Sequence, residues 1–304
     1  MRVRRLLSVT IVASITIATV TGCASSSMKV TEINEAKAIT IKSIETPQFS
    51  RVIALANGSA EIIAALGLTS ILIGRDIAST DKELSAIPIV TSGHQVIPEK
   101  IISLNPDLVI VDKSTGPSTA LQSLKAAGIS VVVTPEAWTL GDIQLKVTRV
   151  AQALGVAKSG ALLNEAMANT VNASATSTKK RIAFLYLRGG SAIYLIGGKS
   201  SGADSLISAI GSVDVGAQKL KQPFTAMTSE AILQLNPEII LVMTKGLQSV
   251  GGVKGLVELP GVAQTDAGKN SRVIAVDDSL LLSFGPRTPD LVQQLSRAVQ
   301  QVSR

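Results

Sequence analysis

His94 is the only histidine and Cys23 the only cysteine among 304 residues, so imidazole or thiolate chemistry rests on one side chain of each kind. That count excludes a multi-histidine metal cage, a cysteine-rich zinc site and an internal disulfide framework. His94 lies in Ser92-Gly93-His94-Gln95-Val96-Ile97-Pro98, where Gly93 and Pro98 mark a loop between a strand and a helix. Loops at the carboxyl ends of strands are where open α/β sheets hold ligands, and an imidazole there can bind a metal or move a proton. A lone histidine is more often a surface or packed side chain, so the residue by itself leaves both readings open. Tyr194 occupies a corresponding position 100 residues later, and a tyrosine is more often half-buried packing than a ligand.

The other chemical motifs point away from catalysis. Gly198-Lys199-Ser200 resembles the end of a phosphate loop, but that loop needs a glycine at position 193, which is Ile193. Neither a G-x-S-x-G elbow nor an H-E-x-x-H pair is present. Glu99 and Glu230 could be paired acids, yet each sits at a helix start, where a carboxylate complements the dipole. Gly189-Gly190 and Gly251-Gly252 read as turns.

Short β-rich runs alternate with helix-like stretches, which argues for an α/β protein with mostly parallel sheets. Arg51–Ala56, Leu108–Val111 and Ser130–Thr134 read as strands, and Ala60–Gly67 and Pro117–Ala127 as helices closed by glycine. The second half repeats the first. Glu99-Lys100-Ile101-Ile102-Ser103-Leu104-Asn105-Pro106-Asp107 aligns with Glu230-Ala231-Ile232-Leu233-Gln234-Leu235-Asn236-Pro237-Glu238, so both carry E-x-I-[IL]-x-L-N-P-[DE]. A weaker match relates Ser59–Gly67 to Gly202–Gly211. Two copies in one order predict two similar lobes rather than a solenoid. The boundaries read as an N-terminal lobe over 51–139, a stiff helical linker over 140–178 with an amphipathic helix at Ala161–Asn172, and a C-terminal lobe over 179–304.

Residues 1–22 read as a signal peptide, with Arg2, Arg4 and Arg5 ahead of the apolar run Leu6–Val20. Val20-Thr21-Gly22-Cys23 resembles a bacterial lipobox, which implies cleavage before Cys23 and lipid (palmitate) attachment to its sulfur. An ordinary secretory signal with a chance cysteine is the alternative. Residues 23–50 then form a lipid-anchored tether and first strand. The chain carries 29 basic and 22 acidic side chains; loss of three arginines with the signal leaves 26 against 22, a net +4 without a basic stripe. That balance and only seven aromatic residues argue against nucleic-acid binding.

Several segments carry a family resemblance over about Arg51 to Val302. They are Gly74-Arg75-Asp76, Gly93-His94, Ser103-Leu104-Asn105-Pro106-Asp107-Leu108, Leu187-Arg188-Gly189-Gly190, Gly202-Ala203-Asp204, Met243-Thr244-Lys245-Gly246-Leu247, Gly251-Gly252-Val253, Leu259-Pro260-Gly261 and Ser283-Phe284-Gly285-Pro286-Arg287-Thr288-Pro289. The chain resembles class III periplasmic-type binding proteins and, within them, the haem-binding lipoproteins of ABC haem importers. The resemblance implies two Rossmann-like lobes joined by a long linker helix, with haem as the transported ligand in the cleft between them. It implies a monomer that serves an ABC permease and its ATPase, and no enzymatic activity. By this match His94 and Tyr194 are the axial ligands, Arg75 and Arg287 the cations for the propionates, and Met243 a pocket residue. Glu61 and Asp204, at matching helix starts, are the candidate permease-docking acids. Family members with an axial tyrosine often carry an arginine two residues later, whereas Ile196 follows Tyr194 and Val96 follows His94. An iron-siderophore or corrinoid cargo is the alternative within the same architecture. A secreted enzyme or a structural surface lipoprotein is the alternative outside it.

Overall fold

The computed structural model describes residues 30–92, 95–173 and 179–303. The signal peptide, Cys23 and His94 lie outside the described residues. In chain order the first strands are β1 (Thr31–Ile33), β2 (Val52–Ala54) and β3 (Leu72–Arg75), then a short ribbon of β4 (Thr91–Ser92) with β5 (Gln95–Val96), then β6 (Leu108–Val111) and β7 (Ser130–Val133). The second half contributes β8 (Arg181–Arg188), β9 (Ile193–Gly197), β10 (Val213–Asp214), β11 (Phe224–Ala226), β12 (Ile239–Met243) and β13 (Val273–Val276). The first lobe is an all-parallel sheet in the order β3-β2-β6-β7. The second is a mixed sheet in the order β1-β13-β12-β8-β9-β11, with β10 on β8. The α/β fold class read from the alternation is borne out.

The repeated sequence forms the same unit twice. Helices Pro98–Ser103 and Ser229–Leu235 are each followed by an asparagine in the left-handed region, Asn105 at φ 47° and Asn236 at φ 37°. Asparagine tolerates that conformation, and the proline after it cannot continue the helix, so the chain turns straight into a strand. Those strands, β6 and β12, are buried at every position, as parallel strands covered on both faces must be. Glu99 and Glu230 sit in the first helical turns, as their positions predicted.

Two features differ from the sequence expectation. The linker is not one helix. It runs through Leu140–Leu154 and Ala157–Ala173, broken at Gly155, whose φ of +77° ends the first helix. The pair packs side by side, with the C-terminal helix Thr288–Val302 against the second member. The first strand also belongs elsewhere: β1 pairs in parallel with β13, so the segment ahead of the first lobe completes the edge of the second lobe's sheet. From there it returns along the first lobe, where Ile41 and Ser43 donate backbone hydrogen bonds to Ala65 and Leu66.

Strand parity divides the apolar side chains among three cores in the described residues. One is private to the first lobe (Ile53, Val90, Ile101, Val109) and one to the second (Leu185, Leu187, Ile196, Ile240). The largest is shared by both lobes and the linker, and includes Ile62, Leu154, Phe184, Ile274, Phe284 and Leu291. The face of the second sheet that bears Phe184 therefore belongs to the shared core, and the face that bears Leu185 to the core private to the second lobe.

Candidate ligand-binding site

A cavity of about 350 Å³ opens where the lobes meet. Most of its wall follows the carboxyl ends of the first-lobe strands: Asn57 after β2, Asp76 after β3, Asp112 after β6 and Trp138 after β7. Lys146 of the linker and Leu282 of the second lobe complete it. Its volume lies in the range of about 300–1,000 Å³ usual for ligand pockets.

The polar wall is built rigidly. Asp112 accepts from the Asn57 N–H at 2.9 Å and from the backbone N–H and hydroxyl of both Ser114 and Thr115, which pins the loop after β6. Asp76 accepts from the Ser79 hydroxyl and from the Ala78 N–H at 2.9 Å, while burial pushes its carboxyl up from the ordinary value. Lys146 is almost fully buried and donates to the carbonyls of Ser283 at 2.9 Å and Phe284 at 3.2 Å, tying linker to second lobe. Burial lowers its pKa to about 8, although Glu61, Asp112 and Asp76 pull it the other way. Between pH 8 and the unfolded value of 10.5 the unfolded chain holds a proton that the folded chain has released, so this group makes stability rise with pH across that window. Lys146→Met should flatten the rise by up to about 1.4 kcal/mol per pH unit. Chemical denaturation of both proteins at pH 7, 8.5 and 10 measures it; parallel profiles would show that the lysine is not buried in solution.

The structure redistributes the residues singled out in the sequence. Arg75 does not face the cavity with a free guanidinium: it is buried and donates to the carbonyls of Leu84, Ile87, Asp76 and Ser79, holding together the loop after β3. Arg287 is likewise engaged, in a bidentate pair with Glu61 and a longer contact to Asp81 at 3.7 Å. Neither is available to a cargo carboxylate. Glu61 is 2% exposed and cannot dock on a permease. Burial pushes its carboxyl up, with Arg287 opposing. Met243, 1% exposed at the end of β12, is packing in the shared core rather than a pocket group. Asp204 is half-buried in the first turn of its helix and accepts from the N–H groups of Ser200 and Gly202 just ahead of it. His94 lies outside the described residues; among those described, β4 and β5 pair with each other, and Thr91 lines the cavity.

Tyr194 lies on the face of the second sheet that packs on that lobe's own core. In the β8–β9 hairpin Leu187 pairs with Tyr194 and Leu185 with Ile196, so these four share a face, and Tyr194 packs on the core private to the second lobe. The opposite face presents Tyr186, which pairs with Leu195 and packs on the core shared by both lobes. Tyr186 stands edge-on to Phe224 (centroids 5.7 Å apart), and Phe224 edge-on to Phe184 at 6.3 Å. The Arg188 guanidinium lies 4.5 Å from the centre of the Tyr186 ring and 3.6 Å from Asp278. Sequence reasoning missed this tyrosine although the signal was present: Tyr186-Leu187-Arg188 has an arginine two residues after a tyrosine, the spacing absent at Tyr194.

A sequence model of the family described as periplasmic binding protein matches residues 52–280. An uncharacterized ABC transporter substrate-binding lipoprotein, YvrC of Bacillus subtilis, is 27% identical over 258 residues, which cover 82% of this chain and 79% of the relative. A vitamin B12-binding protein of Vibrio parahaemolyticus is 23% identical over 84% of this chain and 90% of its own. Among solved structures, the periplasmic heme-binding protein RhuT from Roseiflexus sp. RS-1, in apo form, superposes with a TM-score of 0.78 at 33% identity, over 84% of this chain and 99% of RhuT.

Proposed function

We propose, from the premise that this chain belongs to the periplasmic binding protein family, that it captures haem outside the cytoplasm and hands it to an ABC importer. The coarser part stands on the family: this is a substrate-binding protein of an ABC transporter and not an enzyme. The haem assignment is supported above all by Tyr186 with Arg188 beside its ring, on the face of the second sheet that packs on the core shared by both lobes. A phenolate oxygen is a hard anionic ligand suited to ferric iron, as the tyrosine-ligated haem of catalases illustrates. The Arg188 cation offsets the charge of such a ligand, and Asp278 in turn positions Arg188. His94, between the two strands of the cavity ribbon, is the proposed ligand from the first lobe, and imidazole is the common partner for haem iron. With one ligand offered by each lobe, the bound metal would link the two.

The charge around the cavity orients the cargo. Asp76, Asp112 and Glu136 line it against Lys146, the one cation among its described lining residues, and Arg75 and Arg287 are engaged elsewhere. Propionates would be repelled there, so the apolar edge of the porphyrin enters first and the carboxylates stay at the solvent mouth. Hemin dimethyl ester should accordingly bind within about threefold of hemin. Loss of ester binding by tenfold or more would place the propionates inside. His94→Ala should lower hemin affinity and move the Soret maximum; an unchanged titration removes His94 from the site. The reading as a whole is tested by titrating the purified protein with hemin and with cyanocobalamin. A Soret band that saturates supports haem, and selective binding of cobalamin would assign the cargo to the corrinoids. Cys23 is the proposed point of lipid anchorage, and Asp204 the remaining docking acid, on the second lobe.

A further inference from the structure

We infer that Trp138 is a specificity-determining residue of this site: a platform that receives the flat face of the cargo ring. The inference rests on the haem reading above and adds to it a contact independent of the metal. Trp138 is the only tryptophan in the chain and one of only seven aromatic residues, yet it is 42% exposed. It lies on the wall of the interlobe cavity, not on the outer surface. An indole left half in water at the mouth of a pocket forgoes burial that a core position would supply, and such residues are found where a partner completes the burial.

Its position is held rather than loose. The Trp138 N–H donates to Asp142 at 3.1 Å, within the capping box that starts the Leu140–Leu154 helix. The indole N–H donates to Glu136 at 3.3 Å, which fixes the polar edge of the ring. On the other side the ring reaches the second lobe at Gly202, where an added Cβ would lie 3.7 Å from Trp138 Cε3 and 3.1 Å from Phe284 Cε2. The indole thus spans the seam between the lobes with its edges engaged and much of its surface uncovered. Apart from Leu55 the other described first-lobe lining residues are polar, charged or small, so this ring is the aromatic surface among them.

Metal-free protoporphyrin IX separates the platform from the iron ligands, because it can use the first and not the second. Trp138→Ala should weaken hemin and protoporphyrin IX alike by about tenfold, which is about 1.4 kcal/mol, while Trp138→Phe stays within about threefold of wild type. Tyr186→Phe should weaken hemin and leave protoporphyrin IX unchanged. Trp138 is more than half-buried, so thermal melting of both variants is measured alongside and Trp138→Phe, which keeps a ring there, separates loss of the platform from a folding defect. Undiminished protoporphyrin binding by Trp138→Ala overturns the platform, even if hemin still binds. Failure of the wild type to bind either compound removes the haem reading and the platform with it.

Discussion

Tyr186→Phe is expected to reduce hemin affinity by well over tenfold and to abolish any phenolate-to-iron charge-transfer band, while Tyr194→Phe changes neither by more than about twofold. The contrast follows from strand parity. Neighbouring residues of a strand point to opposite faces, and directly paired residues of an antiparallel hairpin share one. Tyr186 pairs with Leu195 and Tyr194 with Leu187, so the two hydroxyls leave opposite sides of the same sheet. Removing the Tyr186 oxygen deletes a proposed iron ligand yet keeps the ring that stacks edge-on to Phe224. Folding should therefore survive, and circular dichroism with thermal melting checks it. Arg188→Met is the companion variant: it should weaken ferric more than ferrous haem, since the charge it removes faces an anionic ligand. A spectrum altered by Tyr194→Phe and untouched by Tyr186→Phe would reverse the assignment.

The second large effect is on stability. Glu61 and Arg287 form an ion pair 226 residues apart in sequence, with side chains 1% and 8% exposed. It joins the helix Ser59–Ala65 of the first lobe to the start of the C-terminal helix Thr288–Val302. Breaking a buried pair leaves the remaining charge without solvent or partner, at a cost of about 3–5 kcal/mol. Arg287→Met should thus lower the melting temperature by roughly 10 °C. The double variant Glu61→Met with Arg287→Met should recover most of that loss, because no lone charge remains. Asp81 lies 3.7 Å from Arg287 and is less buried than Glu61, so its substitution should matter less. Hemin titration of the same variants separates a structural role from a ligand-binding one. Arg287→Met with intact stability and lost hemin binding would return the arginine to the propionates; the bidentate contact with Glu61 predicts the opposite pattern.

Much of the architecture was legible in the chain. The E-x-I-[IL]-x-L-N-P repeat encodes helix, stop and buried strand through local chemistry alone: an acid at the helix start, asparagine and proline at its end, four or five aliphatic residues after it. The fold class, and the location of a site in the loops after first-lobe strands, follow from such units. The linker was legible as helix but not as two helices, because Gly155, a local left-handed stop that accepts the end of the first helix, sits in an otherwise helix-favouring stretch.

By itself, then, the sequence determined the alternating α/β units, their order and the periplasmic-binding character of the chain, because all of these are written in residues near one another. Only the tertiary structure decided which core each tyrosine packs on and which cations are already paired. The register of the β8–β9 hairpin sets the first, and a one-residue difference in position exchanges the two faces of a strand. Pairings such as Glu61 with Arg287, or β1 with β13, set the second and complete the sheet edge. A buried charge must find its counter-charge wherever folding brings one, and no local pattern announces a partner more than two hundred residues away.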